Sequence, residues 1–222
     1  MEFEHILVQI AISAVPILIA IILHEVAHGF IAFKLGDPTA KMMGRLTLNP
    51  IPHIDIFGTI LMPILLFILT NGQFVFGYAK PVPINPYNFK NPKRDMAISA
   101  AAGPVTNLLL AVVSFLLLKY ALLPASTLMP ADLVSKVFKP LVMMFTASIS
   151  INVILAVFNM IPIPPLDGGR VLMGLLPPKH AMTLAKIEPY GFIIIILLVA
   201  TGIASYIIMP FIRLIIGLIS LL

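Results

Sequence analysis

His24 and His28 stand four residues apart, with Glu25 directly after the first, inside a run from Ala14 to Phe33 that otherwise reads as a membrane span. On an α-helix, residues four apart project from one face about one turn from each other, the separation two imidazoles need to grip a single tetrahedral zinc ion. Glu25 then lies beside the metal, where it can take a proton from water that the ion has acidified to a pKa of about 7. The apolar setting sharpens this reading. A charged side chain near the centre of a membrane helix costs about 2.5 to 3.5 kcal/mol on insertion scales, so His, Glu and His on one turn need a compensating partner. A metal ion is the obvious one.

The elements that must position these groups are membrane helices. Sixty per cent of the 222 residues are hydrophobic and 10% are charged, and the mean hydropathy is +1.08. Long apolar runs separated by short polar stretches leave no room for a globular appendage, so residues 1–222 are expected to form a single membrane-embedded domain, all-α and polytopic. The absence of cysteine removes disulfides, thiol nucleophiles and thiolate ligands, so a metal here must be held by His, Asp or Glu. The net charge of +5 comes without clustered Lys and Arg interleaved with aromatics, which argues against nucleic-acid binding and for loops that set membrane orientation. The amino-terminal Met1-Glu2-Phe3-Glu4-His5 is acidic, unlike the basic start of a secretory signal, so the first helix is expected to be retained.

Along the chain, a first span is expected over about 6–34, followed by a structured polar loop over 36–55 and an apolar run over 56–70 that is short for a crossing of about 20 residues. Residues 73–84 alternate aromatics, Val, Gly and Pro and predict an extended strand. Together the last two make a small re-entrant helix and strand element. Further spans are expected over about 95–119, 138–160 and 190–207, with a short helix at 168–176. Pro210 is expected to break the tail into a final helix over 211–222, giving five to six transmembrane helices.

Ten of the fourteen basic residues fall after the first span (Lys34, Lys41, Arg45), before the span near 95 (Lys80, Lys90, Lys93, Arg94) and after the proline-rich stretch (Arg170, Lys179, Lys186). With all three regions cytoplasmic, positive loops lie inside and the amino terminus outside, provided that 56–84 enters and returns on one side.

A catalytic zinc site has three protein ligands and a water. Once Glu25 and the terminal pair are set aside, the acidic candidates are Asp37, Asp55, Asp95, Asp132, Asp167 and Glu188. Asp167 follows the end of a span, is flanked by Pro165 and Gly168-Gly169, and by the orientation above reaches the membrane face where His24 and His28 lie.

Three stretches now stand in order: His24-Glu25-x-x-His28, then Ala102-Gly103-Pro104-x-x-Asn107, then Asn159-x-x-Pro162-x-Pro164-Pro165-Leu166-Asp167-Gly168-Gly169-Arg170. Together they resemble the site-2 protease family, peptidase family M50, and specifically its compact members without a PDZ or CBS domain. The resemblance covers nearly the whole chain. It implies an intramembrane zinc metalloprotease with one Zn2+ per chain held by His24, His28 and Asp167, with Glu25 as catalytic acid and base. In the family the asparagine matching Asn159 is proposed to hold the scissile carbonyl or its oxyanion; here it could equally satisfy carbonyls freed where the helix breaks. One departure from relatives is Ile56, where they often carry Pro after the His-Ile-Asp triplet.

Other residues carry plainer readings beside functional ones. Asn107 could bond near the site or join two helices, Gly103 and Ala100 to Ala102 permit close helix contact, and His53 is expected to make a loop hydrogen bond. The expected function is zinc-dependent hydrolysis of peptide bonds within or next to transmembrane segments of membrane-tethered proteins. The partners would be such a substrate and the lipid bilayer, with no nucleic acid. The location would be the cell membrane, with the active site toward the cytoplasm. The alternatives are an inactive membrane binding protein or a transporter on the same fold. Loss of Glu25 would have marked the former, and a transporter would need neither the His-Glu pair nor a remote Asp-Gly-Gly.

Overall fold

Several polar side chains lie buried between the helices of this chain while many large apolar ones face outward, a distribution unlike that of a protein folded in water. The computed structural model describes residues 2–69 and 77–222, with side chains from residue 11 onward. Buried inside are Asn107, Asn152, Ser99, Asp95, His24 and His28, while Val105, Leu109, Ile193, Leu197, Leu214 and Leu218 are each at least half exposed. Lipid tails are as apolar as these outer faces, so such a surface is stable only in a bilayer.

The first helix, α1 (Glu2–Lys34), runs through Pro16 and ends with Lys34 in its last turn, where a cation complements the unpaired carbonyls. Then come α2 (Thr39–Met42), a 3-10 turn over Ile51–His53, and a π-helical turn over Ile56–Leu61 that leads into α3 (Met62–Leu69). Asp55 caps this pair by accepting the Gly58 N–H at 2.7 Å.

The helix α4 (Pro92–Leu117) starts on Pro92, a first-turn position where a missing N–H costs nothing, and continues through a π-turn into α5 (Leu123–Thr127). Beyond α6 (Ala131–Leu133) and a second π-turn lies α7 (Lys139–Asn159). The chain ends in α8 (Asp167–Leu175), α9 (Pro178–Ala185), α10 (Glu188–Ala200) and α11 (Ile203–Ser220).

Among the described residues four helical stretches are long and apolar enough to cross a membrane: Ala11–Lys34, Pro92–Thr127, Ala131–Asn159 and Ile203–Ser220. A fifth exists if α9 and α10, bent by 64°, form one broken span. The helix α4 is central and packs on α1, α7 and α8, while α1 also packs on α7 and α11 closes over α7. Ala20, Ala100, Ala111 and Ala156 are almost fully buried, so small side chains let the backbones approach.

Two expectations need correction. The tail does not break at Pro210, which lies inside the continuous α11; the break is Thr201-Gly202, where Gly202 adopts φ +77°. A left-handed residue ends a helix more sharply than a proline interrupts one, because neighbouring helices can absorb the single lost hydrogen bond. The strand expected over 73–84 is likewise absent where it can be seen. Residues 73–76 lie outside the described residues, and 77–84 form an irregular extended segment without a strand partner.

Candidate metal centre

Three elements bring the candidate ligands together. From α1, His24 and His28 project one turn apart, each 7% exposed. From α8, Asp167 is presented in the first turn, where the helix dipole favours a carboxylate. The irregular stretch before α8 folds so tightly that a β-carbon on Gly168 would lie 2.3 Å from the Met160 carbonyl oxygen, and one on Gly169 2.3 Å from the Pro164 nitrogen. The two glycines therefore set where Asp167 sits.

The Nε2 atoms of His24 and His28 are 3.0 Å apart, and Asp167 Oδ2 lies 3.1 and 3.3 Å from them. Ligands about 2.0 to 2.2 Å from a tetrahedral zinc ion are themselves about 3.3 to 3.6 Å apart, so this triangle fits one ion with slight expansion. The other ring nitrogens fix the tautomers. His28 Nδ1 donates to the Ser99 carbonyl at 2.8 Å, and His24 Nδ1 donates to Asn107 Oδ1 at 2.6 Å. Each acceptor takes an N–H, so both Nε2 atoms carry lone pairs into the cluster. Asp167 Oδ2 is buried and accepts no hydrogen bond. Three converging lone-pair atoms repel one another unless a cation lies among them, and among the described residues these three alone form a possible metal site.

The helix α4 lies against this cluster at Gly103. A β-carbon there would be 2.5 Å from His28 Nε2 and 2.6 Å from His24 Cε1, so glycine is what leaves room for the imidazoles. The small-residue reading of Gly103 thus has a specific object: it clears the ligands themselves. Asn107, one turn further along α4, touches a candidate ligand as well as joining helices.

Glu25, Asn159 and Arg170 line a cavity of about 380 Å³ together with the three ligands, Tyr78 and Phe192. Glu25 Oε2 accepts the Val82 N–H at 2.8 Å, leaving its other oxygen for water or substrate. The Asn159 amide donates to the Leu155 carbonyl at 3.0 Å, which uses one of its two N–H groups. Arg170 lies 3.9 Å from Glu188.

The remaining acidic candidates are engaged elsewhere. Asp37 accepts from Thr39, Asn85 and Asn88, Asp95 from Asn91 and Arg94, and Asp132 pairs with Lys136. His53 lies away from the cluster and donates from Nε2 to the Thr47 carbonyl at 3.0 Å, the loop bond expected of it.

In the described part of the expected strand, 77–84, alternate N–H groups are engaged inside the protein: Tyr78 N–H bonds the Gly58 carbonyl, Lys80 N–H bonds the His53 carbonyl, and Val82 N–H bonds Glu25. Of the alternate residues Ala79, Pro81 and Pro83, only Ala79 has an N–H at all. These residues cannot donate a strand ladder. The sequence reading missed Val82 and the amide Asn152, buried behind Asn107; the signal for Asn152 was a polar residue within a membrane span.

A buried two-histidine, one-carboxylate cluster with an adjacent glutamate, inside a bundle whose outer faces are apolar, defines a multi-pass membrane metallohydrolase. The family model described as Peptidase family M50 matches residues 12–201, and the chain belongs to that family, the site-2 proteases; membership makes it a metalloendopeptidase. It is 40% identical over 196 residues to the Bacillus subtilis protein named "Putative zinc metalloprotease YwhC", covering 88% of this chain and 83% of that one. It is 29% identical over 184 residues to "Putative zinc metalloprotease Rip2" of Mycolicibacterium smegmatis, covering 83% of this chain and 64% of that protein. A Methanocaldococcus jannaschii protein, "Putative zinc metalloprotease MJ0611", is 36% identical over 106 residues, 45% of this chain and 46% of its own. No solved structure matches the chain.

Proposed function

We propose that this protein is a zinc-dependent intramembrane endopeptidase that cuts peptide bonds within or next to transmembrane segments of membrane-tethered proteins. His24, His28 and Asp167 would hold the zinc and Glu25 would move the protons. The observation that carries the reading is the buried triangle of lone-pair atoms, 3.0 to 3.3 Å on a side, whose carboxylate oxygen accepts no hydrogen bond.

When bound, zinc supplies Lewis acidity that polarises a scissile carbonyl and acidifies water. Glu25 takes the proton of the attacking water at the oxygen Val82 leaves free and delivers it to the leaving amine. The second N–H of the Asn159 amide is available to the developing oxyanion. Tyr78 and Phe192, whose rings meet edge to face at 6.1 Å, wall the cavity that receives the substrate. A helical substrate hides its carbonyls in internal bonds and must unwind locally before attack. The biological consequence would be regulated release of a tethered protein at the cell membrane, from a site toward the cytoplasmic face.

The test is cleavage of a panel of single-span membrane proteins by the purified chain and by Glu25→Gln, with zinc content measured for both. Cutting by the unaltered chain alone, with zinc in both, supports the assignment. A chain that takes up no zinc sinks it, as does cleavage that survives in Glu25→Gln.

A further inference from the structure

A line of buried amides and hydroxyls runs from His24 into the middle of the helix bundle. Asn107 Nδ2 donates to Asn152 Oδ1 at 2.8 Å and to the Ala20 carbonyl at 3.2 Å. Asn152 Nδ2 donates to the Ser148 carbonyl at 2.9 Å and to Ser148 Oγ at 3.2 Å, and Ser148 Oγ lies 2.9 Å from Ser114 Oγ. Asn107 and Asn152 are at most 1% exposed. Amides so deep in a membrane bundle cost free energy unless every polar atom is matched, and here they are matched in one direction only.

The direction follows from the backbone. The Ser148 carbonyl can only accept, so Asn152 must turn its NH2 toward it and its oxygen toward Asn107. The Ala20 carbonyl can also only accept, so Asn107 must give one N–H to Ala20 and the other to Asn152. Its oxygen is then committed to His24, and an oxygen there admits only a protonated Nδ1. Nε2 is left bare toward His28 and Asp167. His28 achieves the same result in one step through the Ser99 carbonyl. At His24 the backbone acceptors are reached through Asn107, the Ala20 carbonyl directly and the Ser148 carbonyl by way of Asn152, and the amides carry their polarity across from α1 and α7.

We propose that Asn152 is a positioning residue for the metal centre: acting through Asn107, it holds His24 in the tautomer whose Nε2 can bind the metal. This rests on the reading that His24 is a zinc ligand. Within the same network the proposal separates two atoms of one residue, because the Ser148 carbonyl is essential to it and the Ser148 hydroxyl is not.

The experiment measures zinc affinity by chelator competition for the full chain in detergent, beside Asn152→Leu and Ser148→Ala, with thermal unfolding of each metal-free form. Asn152→Leu keeps the branched shape of the side chain but offers no acceptor, leaving Asn107 tied by the Ala20 carbonyl alone, and should weaken zinc binding about tenfold, the low end of what loss of a group that orients a ligand costs. Ser148→Ala removes both hydroxyl bonds but keeps the carbonyl, and its affinity should stay within about threefold of the parent, whatever it does to unfolding. Equal affinity losses in the two variants would mean a packing role and overturn the proposal, as would unchanged affinity in Asn152→Leu. Nitrogen NMR of histidine-labelled, metal-free unaltered chain, with His24 assigned through His24→Gln, needs no Asn152 variant. Protonation at Nδ1 is expected, whether or not Nε2 also carries a proton in the metal-free chain, and a bare Nδ1 refutes the inference. Failure of the parent chain itself to bind zinc would remove the ligand reading first and this one with it, a result distinct from any variant effect.

Discussion

At the residue scale, two contacts around the candidate ligands were invisible to motif reading and can be tested singly. Gly103 leaves no space for a methyl group beside the two imidazoles, the nearest atom to an added β-carbon being His28 Nε2 at 2.5 Å. Overpacking of this kind costs about 1 to 3 kcal/mol, and here the strain falls on the ligands. Gly103→Ala should therefore lower zinc affinity about tenfold or more by chelator competition; parental affinity would show that α4 can move away freely. The second contact is the Val82 N–H on Glu25 Oε2, a hydrogen bond to a charged group worth about 1.5 to 3 kcal/mol. Val82→Pro removes the donor, whereas Val82→Ala keeps it. If that bond holds Glu25 for proton transfer, the proline variant should lose about ten- to a hundredfold in kcat with zinc retained, and the alanine variant should stay near the parent.

At the scale of elements, Asp37 ties the end of α1 to the segment that leads into α4. Its carboxylate accepts the N–H of Asn85 at 2.7 Å, the amide of Asn88 at 2.7 Å, and both the N–H and the hydroxyl of Thr39, and it is fully buried. Burial pushes this carboxyl up, but the bonds from Thr39, Asn88 and Asn85 outweigh it and hold it below its ordinary range. A group depressed on folding contributes stability that is present above the unfolded value of about 3.9 and is lost as pH falls through the folded value. Asp37→Asn should destabilise the chain at neutral pH and flatten the acid limb of its unfolding profile below about pH 4. An acid limb identical to the parent's would assign that loss to other carboxylates. The same tie explains why the segment 77–84 is held without a strand partner: its N–H groups and its exit are claimed by α1, by the π-turn and by the loop at His53.

At the scale of the whole molecule, the proposed orientation places the basic regions around Lys41, Lys90 and Lys179 in the cytoplasm. The chain contains no cysteine, so single cysteines introduced at these positions in cells report sidedness without background. All three should resist a membrane-impermeant thiol reagent added outside and react after permeabilisation. Labelling of one from outside would break the rule on which the orientation rests.

The sequence by itself determined the helical membrane class, because apolar runs of the length of a bilayer have few other stable forms. It also singled out His24, Glu25, His28 and Asp167: fixed spacing on one helix is a local property, and few other acidic residues were available. Its errors lay where the outcome depends on neighbours. Pro210 reads locally as a breaker but sits inside α11, while Gly202, unremarkable in sequence, takes the left-handed turn. The alternation in 73–84 reads as a strand, yet the described part has its N–H groups taken by three other elements. What only the tertiary structure decided is the matching of polar atoms across helices: Gly103 against the imidazoles, Val82 on Glu25, and Asn107 and Asn152 behind His24. Each joins residues more than forty positions apart, and a hydrogen bond at that separation has no signature in local pattern, because its partner is chosen by how the helices pack.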